Sequence, residues 1–482
     1  MVRLLQNKIF WGAVLFVALF LVFYPRFWDV DYLSTIRTAQ WFWQGKFVET
    51  NPQYAYYMWQ SAQGFFLYPF EIGRTLVSAP LALISWNAPF ILGLLFHLLG
   101  FWFFFKTLRL LKWDERYSLV YLFFPSVALI ADRFYLGEAA SIALICGAVF
   151  FYLRGQKNDY WLSGIFFGLS VWFRFTNVVV AAAFAVAVFF RHKKQVVPFL
   201  TGTIVLGALF CGVTYLILGA PWGYVEPGYV SGSVYQFGFF HVLESIGRYL
   251  IFLLAGFEPL TSRGLLIVFP LTLLALFKAR VLRLETALSL VFVIVFFSIA
   301  MFNTDGRYVL VLFPLLLLGS IPAADALLKK IGEWQPALTK TAVVWTIIVL
   351  LLAATTAVFW VQSQKGEARL RVAQTIYSST PQGALLMDYQ GGFTSSFLLE
   401  TFGDRRLETA SIPQLKEKIL TPCWVKDNGG LGNIYTSIVE LSPRTENSIA
   451  GFMKVDPLTT IVRPLSEFLA EQQIKSSQIP CQ

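Results

Sequence analysis

Long apolar runs recur along this chain of 482 residues and constrain its fold more than any other feature. Hydrophobic residues make up 57% of the chain and charged residues only 14%, whereas ordinary soluble domains carry roughly 25% charged residues. A mean hydropathy of +0.62 over this length cannot describe one buried core in water. The composition therefore predicts a polytopic α-helical membrane protein.

About eleven apolar runs are candidates for membrane-spanning helices, although several are shorter than the ~20 residues that a perpendicular helix needs. A further run, Tyr249–Phe257, is too short to cross and is predicted to be re-entrant or interfacial. The eleven candidate spans are 9–24, 86–105, 117–131, 138–153, 160–173, 177–190, 196–219, 263–277, 284–302, 307–323 and 341–362.

The distribution of basic residues predicts the orientation of these spans. If the N-terminus is cytoplasmic, the inner segments hold most of the Lys and Arg residues, including Arg191-His-Lys-Lys194 and Lys278-Ala-Arg280. The net charge of +10 is then explained by topology and does not indicate nucleic-acid binding. We predict a multi-pass protein of the plasma (inner) membrane whose C-terminal region is extracytoplasmic.

Two regions follow from this layout. Residues 1–362 form the multi-span membrane domain, with a first outer loop at 25–85, and residues 363–482 form a small extracytoplasmic α/β domain. The predicted strands are 384–388, 406–410 and 434–441, and the predicted helices are 367–378, 393–402 and 412–420. The sequence leaves open whether Cys423 and Cys481 form a disulfide.

A pair of carboxylates, Asp29 and Asp31, directly follows the first apolar run. Carboxylates at a membrane surface are costly to desolvate, so their presence there indicates function. One of them is a candidate general base that accepts a proton from an acceptor hydroxyl or amine during attack on a glycosyl carbon. The other would orient the acceptor or hold a divalent cation, Mg²⁺ or Mn²⁺, and metal dependence stays open. The alternative is a solvated loop in which one Asp caps a helix that starts near Leu33.

This segment resembles part of a known superfamily. The run Asp29-Val-Asp31-Tyr32-Leu33, followed later by Gly45-Lys-Phe47, is similar to the Asp-Glu…Tyr…Gly pattern of the protein O-mannosyltransferase and aminoarabinose transferase group. These are membrane glycosyltransferases of the GT-C class, which use polyprenyl-phosphate-linked sugars. The chain lacks the adjacent Asp-Glu pair, so which aspartate is the base stays open.

Two further segments carry the same resemblance. Arg307-Tyr308, with Pro314 in the following span, resembles the Arg-Tyr…Pro signature of a late helix, and Gly164…Gly168…Arg174-x-x-Asn177 resembles a turn between two spans. The resemblance implies that Arg174 and Arg307 face a lipid phosphate from the outer side. The alternative for Arg307 is an arginine that anchors its helix at the headgroups, and the alternative for Arg174 is a loop arginine that meets the headgroups. The glycines are predicted to allow close helix packing.

Other outer residues are weaker candidates. Arg263 is a further candidate ligand for the donor phosphate. The candidate substrate-binding residues are Tyr32, Glu138, His241 and Tyr308, although Glu138 is also explained as a favourable acidic residue at a helix N-terminus. No zinc-site spacing and no nucleotide-binding loop is present in the sequence. The absence of a cytoplasmic nucleotide domain argues against a nucleotide-sugar donor.

These features, taken with the resemblance, predict a membrane glycosyltransferase. The resemblance implies an inverting enzyme that moves a hexosyl or pentosyl group from a polyprenyl-phosphate donor to a lipid, glycan or protein acceptor at the extracytoplasmic face. A transporter or flippase of lipid-linked sugars is the first alternative, because intramembrane charges also serve transport. A non-catalytic envelope assembly protein is the second.

Overall fold

The structure is a computed structural model, and it describes the following residues of the chain. They are 8–24, 39, 42–43, 45, 58–61, 64–67, 72–132, 136–218, 243–247, 249, 263–278, 282–300, 309–334, 339–381, 383–388, 406–409, 434–440, 459–464 and 466–467.

The described residues are mostly helical. The helices are α1 (Lys8–Val22), α2 (Ile72–Ala82), α3 (Ile91–Leu110), α4 (Tyr117–Leu122), α5 (Pro125–Asp132), α6 (Leu136–Arg154), α7 (Asp159–Phe173), α8 (Val178–Arg191), α9 (Val196–Leu218), α10 (Arg263–Lys278), α11 (Arg283–Ala300), α12 (Phe313–Trp334) and α13 (Lys340–Ser379).

Five helical stretches in the described residues are long and apolar enough to cross a membrane, so the chain is an integral membrane protein. They are Ala88–Leu110, Gly137–Arg154, Lys193–Ile217, Leu310–Ile331 and Lys340–Gln364. Two shorter apolar helices, Lys8–Val22 and Phe175–Arg191, accompany them. The larger number of about eleven spans stays a prediction, as does the re-entrant segment Tyr249–Phe257, of which only Tyr249 is described.

The span predicted at 117–131 is not one continuous helix, because the chain forms two short helices there, α4 and α5. Pro125 begins α5; a proline has no backbone N–H to donate and disfavours helical geometry in the residue before it. The break is packed inside the bundle, where the Phe123 carbonyl accepts a hydrogen bond from Thr355 Oγ1 of α13 at 2.8 Å.

Glycines bring α7 and α9 into close contact, as predicted. A Cβ atom at Gly164 would lie 2.1 Å from the Phe199 carbonyl oxygen, and one at Gly202 would lie 2.5 Å from the Trp161 carbonyl oxygen. Thr203 Oγ1 donates a hydrogen bond to the Gly164 carbonyl at 3.2 Å across this interface. Side chains larger than glycine would therefore force the two helices apart.

The bundle has two distinct ends. Helices α3 and α6 run parallel, because Gly100 lies against Ala143 and Phe103 lies against Gly147. Helices α7 and α8 then reverse direction in turn, so the start of α6, the end of α7 and the start of α8 share one end. We call this the site end. The opposite end holds the end of α6, the start of α7 and the end of α8.

Helix α13 links the bundle to a β-sheet. Its 40 residues span about 60 Å. It begins at the opposite end, where Lys340 Nζ lies 2.9 Å from Asp325 Oδ1 of α12. Because only Lys340–Gln364 form its apolar span, the last residues of α13 extend beyond the site end. The predicted domain boundary at 363 and the predicted helix at 367–378 both fall within this continuous helix.

Six strands are described, β1 (Met58–Ser61), β2 (Gly64–Leu67), β3 (Leu385–Asp388), β4 (Arg406–Thr409), β5 (Ile434–Glu440) and β6 (Thr459–Pro464). Strands β1 and β2 form an antiparallel pair. The others form a sheet in the order β4-β3-β5-β6, in which β3 is parallel to β4 and β5 while β6 is antiparallel.

The three predicted strands are confirmed to within one residue: β3 starts one residue later than predicted, and β4 and β5 each end one residue earlier. Strand β6 was not predicted. Strand β6 contacts α13, so the sheet adjoins the helix that leaves the site end. The predicted helices at 393–402 and 412–420, together with Cys423 and Cys481, lie outside the described residues. The α/β domain as a whole stays a prediction.

Candidate functional site

Only part of the predicted site lies within the described residues. Glu138 and Arg174 are described with their side chains, and Arg263 is described only as the first residue of α10. The candidates outside the described residues are Asp29, Asp31, Tyr32, His241, Arg307 and Tyr308.

A buried ion pair between Glu138 and Arg174 marks the site end. Glu138 lies in the first turn of α6, and Arg174 directly follows the last residue of α7. Arg174 Nη1 contacts Glu138 Oε1, and the exposed fractions of the two residues are 6% and 3%. Arg174 Nε also donates a hydrogen bond to Thr176 Oγ1 at 3.2 Å. The ion pair therefore removes both charges from bulk water.

This geometry changes both sequence interpretations. A headgroup-anchoring arginine would be exposed, whereas Arg174 is buried against a carboxylate, so the alternative for Arg174 is wrong. Glu138 does occupy the favourable first turn of a helix. It also neutralises a cation contributed by a different helix, which the capping explanation did not include.

Arg74 is a third member of the cluster, and the sequence analysis did not select it. It lies in α2, and only 7% of it is exposed. Arg74 Nε donates a 3.4 Å hydrogen bond to the carbonyl of Phe173, the residue before Arg174. Its guanidinium also lies against Gly137, where a Cβ would be 2.2 Å from Arg74 Nη2. The absence of a side chain at Gly137 thus makes room for Arg74 beside Glu138.

A hydrogen-bond network fixes the backbone around this cluster. Asn177 Nδ2 donates to Ser141 Oγ at 2.6 Å and to the Ser170 carbonyl at 3.0 Å, and Ser141 Oγ donates to the Gly137 carbonyl. Asn177 is 1% exposed. The network ties the first turn of α6 to the α7–α8 turn, which gives a physical reason for the Arg-x-x-Asn spacing: Arg174 and Asn177 flank one tight turn.

Two guanidinium groups and one carboxylate therefore converge at the site end. Guanidinium groups present planar forks of N–H donors that match phosphate oxygens, so such a cluster is chemically suited to an anionic phosphate group. Within the described residues no group of three or more His, Cys, Asp or Glu could hold a metal ion. Asp29 and Asp31, the predicted cation ligands, lie outside those residues.

Sequence comparisons give no relative for this chain: no protein-family model matches it, and no curated protein matches it. Solved structures do match. The crystal structure of ArnT from Cupriavidus metallidurans in the apo state has a TM-score of 0.53 and 14% sequence identity, covering 82% of this chain and 85% of ArnT.

A second crystal structure, of the same ArnT bound to undecaprenyl phosphate, has a TM-score of 0.53 and 13% identity. It covers 88% of this chain and 92% of ArnT. ArnT is an aminoarabinose transferase of the GT-C family. The chain therefore shares the fold of ArnT over most of its length, which confirms the resemblance stated from the sequence as a likeness of fold.

Proposed function

We propose that this protein is a glycosyltransferase that moves a sugar from a polyprenyl-phosphate donor to an acceptor at the extracytoplasmic face of the membrane. The observation that carries the proposal is the fold that the chain shares with ArnT, one structure of which is bound to undecaprenyl phosphate. The arginine cluster supports it independently, because it supplies phosphate-binding chemistry at one end of the bundle.

Arg74 and Arg174 are proposed to bind the donor phosphate, together with Arg307 and Arg263 from the sequence analysis. When the glycosidic bond breaks, negative charge grows on the departing lipid phosphate. Donors that are already positioned stabilise that charge without reorganisation during the reaction. Glu138 would hold Arg174 in place rather than contact the donor.

The proposed base is Asp29 or Asp31. Helix α1 ends at the site end, because the hydroxyl of Tyr24 donates a 2.9 Å hydrogen bond to the carbonyl of Asn87, just before α3. Asp29 follows Tyr24 by five residues, a distance of at most about 18 Å along an extended chain. Chain connectivity therefore supports a base near the arginine cluster.

The proposed reaction is one in-line displacement. An acceptor hydroxyl or amine attacks the anomeric carbon, and its proton passes to the aspartate. The bond from that carbon to the phosphate oxygen breaks, and polyprenyl phosphate leaves with both electrons of the bond. A single displacement inverts the anomeric centre. Tyr32, Tyr308 and His241 are proposed to contact the sugar or acceptor.

The remaining proposals concern location. We place the site end at the extracytoplasmic face of the inner membrane, with a cytoplasmic N-terminus, because basic residues are concentrated in the segments at the opposite end. We also propose that the sheet β4-β3-β5-β6 binds the acceptor or covers the site, because it follows the helix that leaves the site end.

The test is release of free polyprenyl phosphate by the purified protein in detergent, supplied with a panel of short-chain polyprenyl-phosphate sugars and candidate acceptors. We expect Asp29→Asn or Asp31→Asn to lower turnover by roughly 10²- to 10⁴-fold. Arg74→Gln should lower it by roughly 10- to 100-fold, because a charge-assisted hydrogen bond to the phosphate is lost.

Arg109→Gln is the matched control for Arg74→Gln. Arg109 lies at the opposite end, where its Nε forms an exposed ion pair with Glu115 Oε1 at 3.1 Å. Turnover of Arg109→Gln should equal that of the wild type. Consumption of no donor by the wild type, or equal turnover in wild type and both aspartate variants, would contradict the proposal.

A further inference from the structure

Two turns meet at the opposite end of the bundle, far from the proposed chemistry. One, at 155–158, joins α6 to α7, and the other, at 192–195, joins α8 to α9. The ring of His192 lies 5.3 Å from the ring of Tyr160 and 6.1 Å from that of Tyr152, centroid to centroid. The two turns therefore form one continuous surface.

Two arginines on this surface are held by buried carboxylates. Arg154 donates to both oxygens of Asp159, at 2.8 and 2.5 Å, and this contact lowers the pKa of Asp159 despite its burial. Arg191 Nη1 lies 2.9 Å from Glu285 Oε1, and Glu285 is fully buried and also accepts a hydrogen bond from Tyr152. The arginines are therefore fixed in orientation and largely compensated in charge.

Three lysines on the same surface are not compensated. Lys157, Lys193 and Lys194 are exposed, and within the described residues none of them has an ion-pair partner. Lys193 Nζ lies 5.9 Å from the centroid of the Phe189 ring, so its charge sits directly above an aromatic side chain.

Exposed apolar side chains lie immediately beside these lysines. Phe189 is 52% exposed, Phe190 66%, Val197 70% and Trp161 44%. In a membrane protein such side chains face the lipid tails, and aromatic residues mark the interface with the headgroups. The surface therefore combines uncompensated positive charge with an adjoining apolar area. These two features are complementary to the negative headgroup and the apolar acyl chains of an anionic phospholipid.

We propose that the two turns form a binding site for one anionic phospholipid of the bilayer leaflet at the opposite end. Its phosphate would lie among Lys157, Lys193 and Lys194, and its acyl chains would lie along Phe189, Phe190 and Trp161. Basic pockets between membrane helices recognise anionic headgroups in this way. The site differs from the general excess of basic residues at this end because His192 of one turn packs on Tyr160 beside the other turn, and Lys193 lies over the exposed Phe189 ring.

The test uses the full-length protein in detergent and native mass spectrometry during titration with phosphatidylglycerol or, as the neutral reference, phosphatidylcholine. The variant is Lys157→Gln/Lys193→Gln/Lys194→Gln, which alters only exposed side chains. We expect its preference for phosphatidylglycerol over phosphatidylcholine to fall roughly 10- to 100-fold.

The matched control is Lys112→Gln/Lys329→Gln/Lys330→Gln, which removes three exposed lysines from the same end but from other helices and turns. We expect the control to keep the preference of the wild type. Equal losses in both variants would show attraction to net charge rather than a site, and an unchanged preference in the first variant would exclude binding at these turns. Either result would overturn the proposal.

Discussion

Replacing Glu138 by Gln tests the buried ion pair at the site end. The substitution keeps the shape of the side chain but leaves the Arg174 charge without its carboxylate. Removing one partner of a buried pair costs about 3–5 kcal/mol in a water-soluble protein. Coupling between polar side chains in membrane proteins is smaller, because the unfolded state in a bilayer also finds partners. With both residues at least 94% buried, we expect a loss of about 2–4 kcal/mol in the free energy of unfolding.

The assay is SDS-induced unfolding in mixed micelles, applied as a double-mutant cycle of Glu138→Gln, Arg174→Gln and the double variant. The control cycle is Arg109→Gln with Glu115→Gln, because the side chains of that pair are 56% and 40% exposed. An exposed pair is expected to couple by less than about 1 kcal/mol. Coupling between Glu138 and Arg174 that does not exceed the control would refute the reasoning.

The stability of Glu138→Gln in the presence of undecaprenyl phosphate tests whether Arg174 binds the donor phosphate. If Arg174 binds lipid phosphate, added undecaprenyl phosphate supplies the negative charge that Glu138→Gln has removed. We therefore expect the lipid to stabilise Glu138→Gln more than it stabilises the wild type. Equal stabilisation of the two would show that the phosphate does not reach Arg174.

Three further predictions follow from packing and charge. Gly164→Ala should lower the free energy of unfolding by about 1–3 kcal/mol, because its Cβ would meet the Phe199 carbonyl. Gly207→Ala is the control and should not lower it, because open space surrounds Gly207. Unfolding in detergent compares the two variants. Tyr152→Phe should lower the free energy of unfolding by about 1–3 kcal/mol in the same assay, because fully buried Glu285 loses a hydrogen-bond donor. Tyr215→Phe, at an exposed tyrosine, is the control, and an equal loss in both variants would contradict the prediction. The stability that Asp159 provides should be present above about pH 4 and lost as pH falls below it, because the Arg154 hydrogen bonds lower the folded-state pKa of Asp159. The difference in unfolding free energy between wild type and Asp159→Asn should shrink over that range, and a constant difference would contradict the assignment.

The sequence predicted most helices but misplaced several ends. The span predicted at 86–105 is helix α3 (Ile91–Leu110), which continues through Lys106 and Arg109. Apolar periodicity stops at these cations, yet the helix accommodates them because Lys106 Nζ lies over the Trp102 ring and Arg109 lies over the Phe105 ring. Side-chain stems that cover aromatic rings are not visible in a hydropathy pattern.

A similar limit applies to α12, which continues past the predicted end at 323. Asp325 lies within it, where charge would ordinarily indicate the end of a span. The carboxylate accepts a hydrogen bond from Tyr117, 208 residues away in sequence, and lies beside Lys340 at the start of the next helix. Only the tertiary structure brings these partners together.

The site was predicted in part. Arg174 and Asn177 were found because their spacing resembled a known turn, and the structure gives that spacing a physical basis. Arg74 was missed because the region 25–85 was interpreted as a loop, while α2 within it is a helix whose Arg74 is buried. The contact between Arg74 and Gly137, two residues far apart in the sequence, is visible only in the structure.

The most direct measurement of the central claim follows the sugar itself. The protein is reconstituted in liposomes with a donor that carries one label on the sugar and another on the polyprenyl chain, together with candidate acceptors. We predict that the two labels separate, that the sugar label appears on the acceptor, and that this transfer requires Asp29 or Asp31. If both labels stay on one molecule that only crosses the bilayer, the protein is a flippase and the transferase account is wrong.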